Sequence, residues 1–113
     1  MVSFDIVRQL ALSFPGVEEN LSWDMPAFKV GKRIFVCLRQ DGNSLVVKAS
    51  DMDIAALPMF NPDTFSVPEH YVGYGVIIVQ MDTVDPEELE GLIIEAWRRM
   101  APKRLLAQYE ETV

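Results

Sequence analysis

Apolar residues recur every three to four positions near both ends of the chain and alternate with polar ones in between. Phe4, Val7, Leu10, Ala11 and Phe14 share one side of a helix. Ser3 is placed to cap that helix, Asp5 sits in its first turn, and Pro15-Gly16 ends it. Leu89, Leu92, Ile93, Ala96, Trp97 and Met100 form a second helical stripe. Asp85-Pro86-Glu87-Glu88 is a strong start for it: a cap, a proline at the first helical position, and a glutamate placed to close a capping box. Pro102 then restarts a last helical segment carrying Leu105, Leu106 and Tyr109.

The middle of the chain reads as strands. Residues 21–24 predict a short strand ended by Pro26. Residues 28–30 and 33–39 flank Gly31-Lys32, a two-residue turn with glycine first, as a type II′ hairpin requires. Asp41-Gly42-Asn43 turns the chain into residues 44–49, completing a three-stranded antiparallel meander. A period of two puts Ile34, Val36, Leu38, Leu45, Val47 and Ala49 on one face. That face is wholly aliphatic and is assigned to the helices. The opposite face carries Phe28, Val30, Arg33, Phe35, Cys37, Arg39, Val46 and Lys48. Beyond the meander, Ser50 or Asp51 caps a short helix expected to stop before Pro58. Residues 58–75, rich in proline, glycine and aromatics, read as irregular, and 76–81 as a well-covered strand.

Charge changes this picture most. Lys29, Lys32, Arg33, Arg39 and Lys48 share a segment that contains one acid, Asp41. The rest of the chain is strongly acidic, and the net charge is −7. A pI near 4.5 disfavours indiscriminate binding to nucleic acid or anionic lipid. Half the residues are apolar, so residues 1–113 are read as one domain that buries roughly 65% of its unfolded surface without staples. Cys37 is the lone cysteine, which fits a reducing, cytoplasmic setting. No apolar run approaches the ~20 residues of a membrane span, so no membrane partner is expected.

Catalysis finds little support. His70 is the only histidine, and no nucleophile is tied to it by a recognisable motif. One His and one Cys cannot build a His/Cys zinc site, and no glycine-rich nucleotide pattern is present. No metal, no cofactor and no enzymatic activity are therefore expected.

Several segments taken together are similar to a known family. They are Leu12 to Glu19 (LSFPGVEE), Trp23 to Lys32 (WDMPAFKVGK), Val46-Val47-Lys48 with the helix that follows, Asp85 to Leu89 (DPEEL), and Ala96 to Leu106 (AWRRMAPKRLL). These resemble the MmcQ/YjbR family of small bacterial proteins, commonly labelled DNA-binding. The resemblance implies an α+β fold: a two-layer α/β sandwich with an antiparallel sheet, helices on one face, and a likeness to the frataxin homologue CyaY. One departure stands out, because Val76 follows Gly75 where the family usually has Trp.

Two candidate surfaces result. The first is the meander, with Lys29, Lys32, Arg33, Arg39 and Lys48 on phosphates and Phe28 and Phe35 as stacking rings for DNA or another nucleic acid. A plainer reading packs both rings beneath residues 58–75 and leaves the bases as solvated edge charges. The second surface is a cleft lined by Trp23, His70, Tyr71 and Tyr74, suited to a small molecule or a protein segment. Arg98, Arg99, Lys103 and Arg104 make a second basic cluster that complements a helix dipole. It would extend the first only if the fold brings the two together.

Overall fold

A computed structural model describes residues 2–111. The described elements are α1 (Phe4–Leu12), β1 (Val17–Ser22), β2 (Met25–Val30), β3 (Arg33–Leu38), β4 (Ser44–Lys48), α2 (Asp51–Phe60), β5 (Phe65–Ser66), β6 (Val76–Gln80), α3 (Pro86–Met100) and α4 (Lys103–Glu111), with a 3-10 turn at Glu69–Tyr71. The strands form one antiparallel sheet in the order β1-β2-β3-β4-β6-β5. Val7 and Ala11 of α1, Ile93 and Trp97 of α3, and Leu105 of α4 share a core with Val36, Leu45, Val47, Ile77 and Val79 of the sheet. The fold is α+β, in two layers.

Local chemistry set the helix starts as expected. Ser3 Oγ accepts from the Ile6 amide at 3.4 Å, Ser50 Oγ from Asp53 at 3.1 Å, and Asp85 Oδ2 from Glu88 at 3.1 Å. Pro58 does not stop α2. It lies inside a helix that continues to Phe60 and closes on an Asn61 amide donating to the Leu57 carbonyl at 2.9 Å. Proline removes the bond its own N–H would make and crowds the Ile54 carbonyl, but the residues after it keep their N–H groups, so the downstream turn still forms.

Two of the three hairpin turns in the β1–β4 run differ from expectation, β1–β2 and β2–β3. β1 starts at Val17, and Pro26 sits inside β2 opposite Leu21. The β1–β2 turn is Trp23-Asp24, with φ of +53° and +65°. Gly31 and Lys32 have φ of +57° and +71°, a type I′ turn rather than type II′. Type I′ matches the right-handed twist of the flanking strands, at the cost of left-handed backbone for three residues that are not glycine. Asp24→Gly should therefore raise stability by about 0.5–1 kcal/mol, the relief of left-handed strain exceeding the added unfolded-state entropy. Urea denaturation checks this, and a loss of stability would refute it.

The larger correction concerns the faces. Phe28 pairs with Val36, but Lys29 pairs with Ile34, so β3 carries an extra residue, Phe35, against β2. One extra residue reverses the alternation on one side of it. Phe28 thereby joins the core row Phe28-Val36-Val47-Ile77, is 0% exposed, and lies 5.9 Å from the Phe4 ring. Phe35 is 1% exposed and belongs to the same core. Neither ring is the exposed stacking platform expected of it. Ile34, expected in the core, instead faces an outer hollow beside Lys48. Across the outer face runs the row Ala27-Cys37-Val46-Ile78-Ser66.

Candidate nucleic-acid interface and an aromatic cleft

The β2–β3 turn packs on the junction between α3 and α4. A Cβ built on Gly31 would fall 2.9 Å from Pro102 Cγ, so this close approach and the positive φ both require glycine. Gly31 is followed by Lys32 and Arg33, and Pro102 by Lys103 and Arg104, with Arg98 and Arg99 in the turn of α3 just before it. All six are exposed, and Lys29 is half-buried on β2. Two basic clusters far apart in sequence thus meet at one end of the molecule. Among the described residues, the ion pairs within 4 Å are those of Arg8, with Asp5 and Glu19. None involves these cations. Arg98 lies over the Tyr109 ring at 5.7 Å, and Glu18 stands opposite Lys29 across the β1–β2 ladder.

The five meander cations divide. Lys29, Lys32 and Arg33 belong to this positive end. Arg39, one residue past the end of β3, lies about 20 Å from Arg33 along the chain, where its guanidinium covers the Tyr71 ring at 5.7 Å and donates to Ser44 Oγ at 3.4 Å. Lys48 donates to the Tyr74 carbonyl at 3.2 Å. Both therefore border the second candidate surface.

That surface is an open cleft of about 770 Å³ on the outer sheet face. Trp23, His70, Tyr71 and Tyr74 all line it, together with Met25, Cys37, Arg39, Gln40 and Asp41. The cleft therefore unites the four residues expected from sequence. Trp23 stands 89% exposed on its strained turn, held by Gln40 Nε2, which donates to its carbonyl at 2.6 Å. The His70 and Tyr71 rings lie 4.0 Å apart. A neighbouring hollow of about 430 Å³ shares Trp23, Tyr71 and Tyr74 and adds Lys48 and Val76. Gln40 and Asp41 carried no sequence signal beyond marking a turn.

Burial pushes the Cys37 thiol above its ordinary pKa, against smaller opposing effects from the Val46 backbone and the Arg39 charge. The wall of the cleft thus presents a neutral thiol at pH 7. At Asp41, burial alone would raise the carboxyl. It ends below its usual range because Asn43 N–H (2.9 Å), Ser44 N–H (3.0 Å) and Ser44 Oγ (2.8 Å) all donate to it, with Arg39 nearby. This network fixes the β3–β4 turn and holds Arg39 at the rim. Among the described residues no group of three His, Cys, Asp or Glu converges as a metal ion would need, and no helix is long and apolar enough to cross a membrane.

Comparison with known proteins adds the relationships. The chain is 28% identical over 93 residues to the uncharacterised proteins Mb2600 of Mycobacterium bovis and Rv2570 of Mycobacterium tuberculosis, covering 79% of this chain and 72% of each relative. The crystal structure of Deinococcus radiodurans protein DR2400, a DUF419 domain, superposes with a TM-score of 0.79 at 21% identity. That superposition covers 96% of this chain and 88% of the other, and it supports the α+β architecture. A family model described as YjbR matches residues 12–99. With most of its length under that model, and with the sheet and helices of a solved DUF419 domain, the chain belongs to the YjbR family.

Proposed function

We propose that this protein is a non-enzymatic nucleic-acid-binding module that holds duplex DNA by its phosphates, through the positive end built by the β2–β3 turn and the α3–α4 junction. The observation that carries this reading is the contact of Gly31 with Pro102, which joins the two basic clusters. Burial of Phe28 and Phe35 removes base stacking from the mechanism, so the contact is electrostatic and indifferent to sequence. The net charge of −7 does not forbid it. Glu88 and Arg99 are eleven residues apart on α3, about 16 Å along the helix axis. That exceeds the ~10 Å Debye length at 0.1 M salt, so the acidic start of α3 is largely screened from its basic end, while Glu95, one turn before Arg99, and Glu18, opposite Lys29, lie within that length and weaken the field there.

The test is fluorescence anisotropy of a labelled 20-base-pair duplex across a salt series. About six phosphate contacts, from Lys29, Lys32, Arg33, Arg99, Lys103 and Arg104, give a log–log slope of about −5. Affinity should lie in the ~1–100 μM range usual for nonspecific binding. No binding at low salt, or a slope shallower than about −1, would remove the reading.

A second reading rests on the cleft. Four rings bordered by Arg39 and Lys48 suit a small planar ligand that carries negative charge. Such a ligand would cover Cys37 and slow its alkylation by iodoacetamide. A screen of planar anions in which none changes that rate would count against it.

A further inference from the structure

We infer that the outward face of α2 is a docking surface for a basic amphipathic helix of a partner protein. The reason lies in the pattern of α2, Asp51-Met52-Asp53-Ile54-Ala55-Ala56-Leu57-Pro58-Met59-Phe60. At 100° per residue, Ile54, Leu57 and Pro58 point one way, and Ile54 and Leu57 pack against the core. Met52, Ala55, Met59 and Phe60 point the other way. Met52 is 79% exposed, Met59 82% and Phe60 84%. A helix that is apolar all round belongs in an interior, yet α2 has only one side against its own protein. Unbranched methionines adapt to varied partner surfaces, and a patch of this kind marks an interaction site.

The charges around the face choose the occupant. Asp51 and Asp53 lie in the first turn of α2, and Asp63 follows its end. No Lys or Arg occurs between Lys48 and Arg98, and the Lys48 ammonium is turned to the Tyr74 carbonyl. A second copy packed antiparallel would set Asp51 and Asp53 against Asp63 of its partner, and anionic lipid would meet the same repulsion. A helix with an apolar stripe and lysines or arginines on its flanks meets the apolar face and the acidic rim together.

The probe is a fluorescein-labelled 18-residue helical peptide of leucine and lysine, titrated into the full chain by anisotropy. A peptide with glutamate in place of lysine is the control. Saturable binding of the lysine peptide alone is expected. The variant Met52→Gln/Met59→Gln/Phe60→Gln, which leaves every charge in place, should weaken it at least tenfold. Asp51→Lys/Asp63→Lys should weaken it as well. Equal affinity of wild type and the glutamine variant would mean attraction to the acidic body at large, and would overturn the proposal. So would a dimer in light scattering that the glutamine variant abolishes, or binding to phosphatidylcholine vesicles that the same variant abolishes. All three glutamine substitutions lie on exposed positions, so unchanged far-ultraviolet circular dichroism is expected and separates lost docking from lost folding.

Discussion

Trp97→Ala should cost about 3–5 kcal/mol of folding stability, the range for removing a buried large aromatic. Trp97 is 0% exposed. Its ring stacks on Phe14 at 5.4 Å and meets Tyr109 at 5.1 Å. Its indole N–H donates to the Pro15 carbonyl at 3.2 Å. One side chain thus ties α3 to the end of α1 and to α4. Alanine would leave a cavity between three elements and take away the indole donor that Pro15 uses. A domain of this size has about 5–15 kcal/mol in total, so the variant should melt roughly 15–25 °C lower. Trp97→Phe separates the contributions: it keeps most of the packing and loses the indole donor, for about 1–2 kcal/mol. Urea denaturation followed by circular dichroism gives both values. A loss below about 1 kcal/mol for the alanine variant would mean that the core closes over the gap.

The same residue bears on function, because α4 begins at the junction where the two basic clusters meet. Reversing four charges there, with Lys32→Glu, Arg33→Glu, Lys103→Glu and Arg104→Glu, should weaken duplex binding at least a hundredfold at low salt. It should also bring the salt slope from about −5 to about −2, since some four phosphate contacts disappear. All four side chains are exposed and make no ion pair among the described residues. Each change should therefore shift folding stability by no more than about 0.5 kcal/mol. Arg39→Glu/Lys48→Glu is the matched control, since these cations border the cleft, and it should alter duplex affinity less than threefold. The reverse ranking would move the nucleic-acid surface to the cleft.

Much of this architecture was legible in the chain. The three capped helix starts needed only a Ser or Asp beside an apolar stripe, because capping involves residues three apart. The convergence of Trp23, His70, Tyr71 and Tyr74 was also within reach, since aromatics and histidine in a turn-rich segment beside a sheet have few places to go. The two-residue strand β5 was not legible. It pairs only with β6, and two residues carry no period to detect. Pro58 misled because a proline near a helix end is a stop signal in sequence, while the structure lost a single hydrogen bond and continued.

The faces of β2 and β3 mark the boundary between the two kinds of information. Alternation along each strand is a local property, and it placed Val36, Leu45 and Val47 inward correctly. Which face of one strand matches which face of its neighbour depends on pairing, and the extra residue at Phe35 is visible only when both strands are present. Cap chemistry and hydrophobic spacing therefore specified the helices and the antiparallel meander of β2, β3 and β4, because they act over a few residues. Tertiary packing decided that Phe28 and Phe35 lie inside, that Arg39 and Lys48 part from the other bases, and that the turn at Gly31 rests on Pro102. Those outcomes depend on contacts between segments distant in sequence, whose register no local pattern encodes.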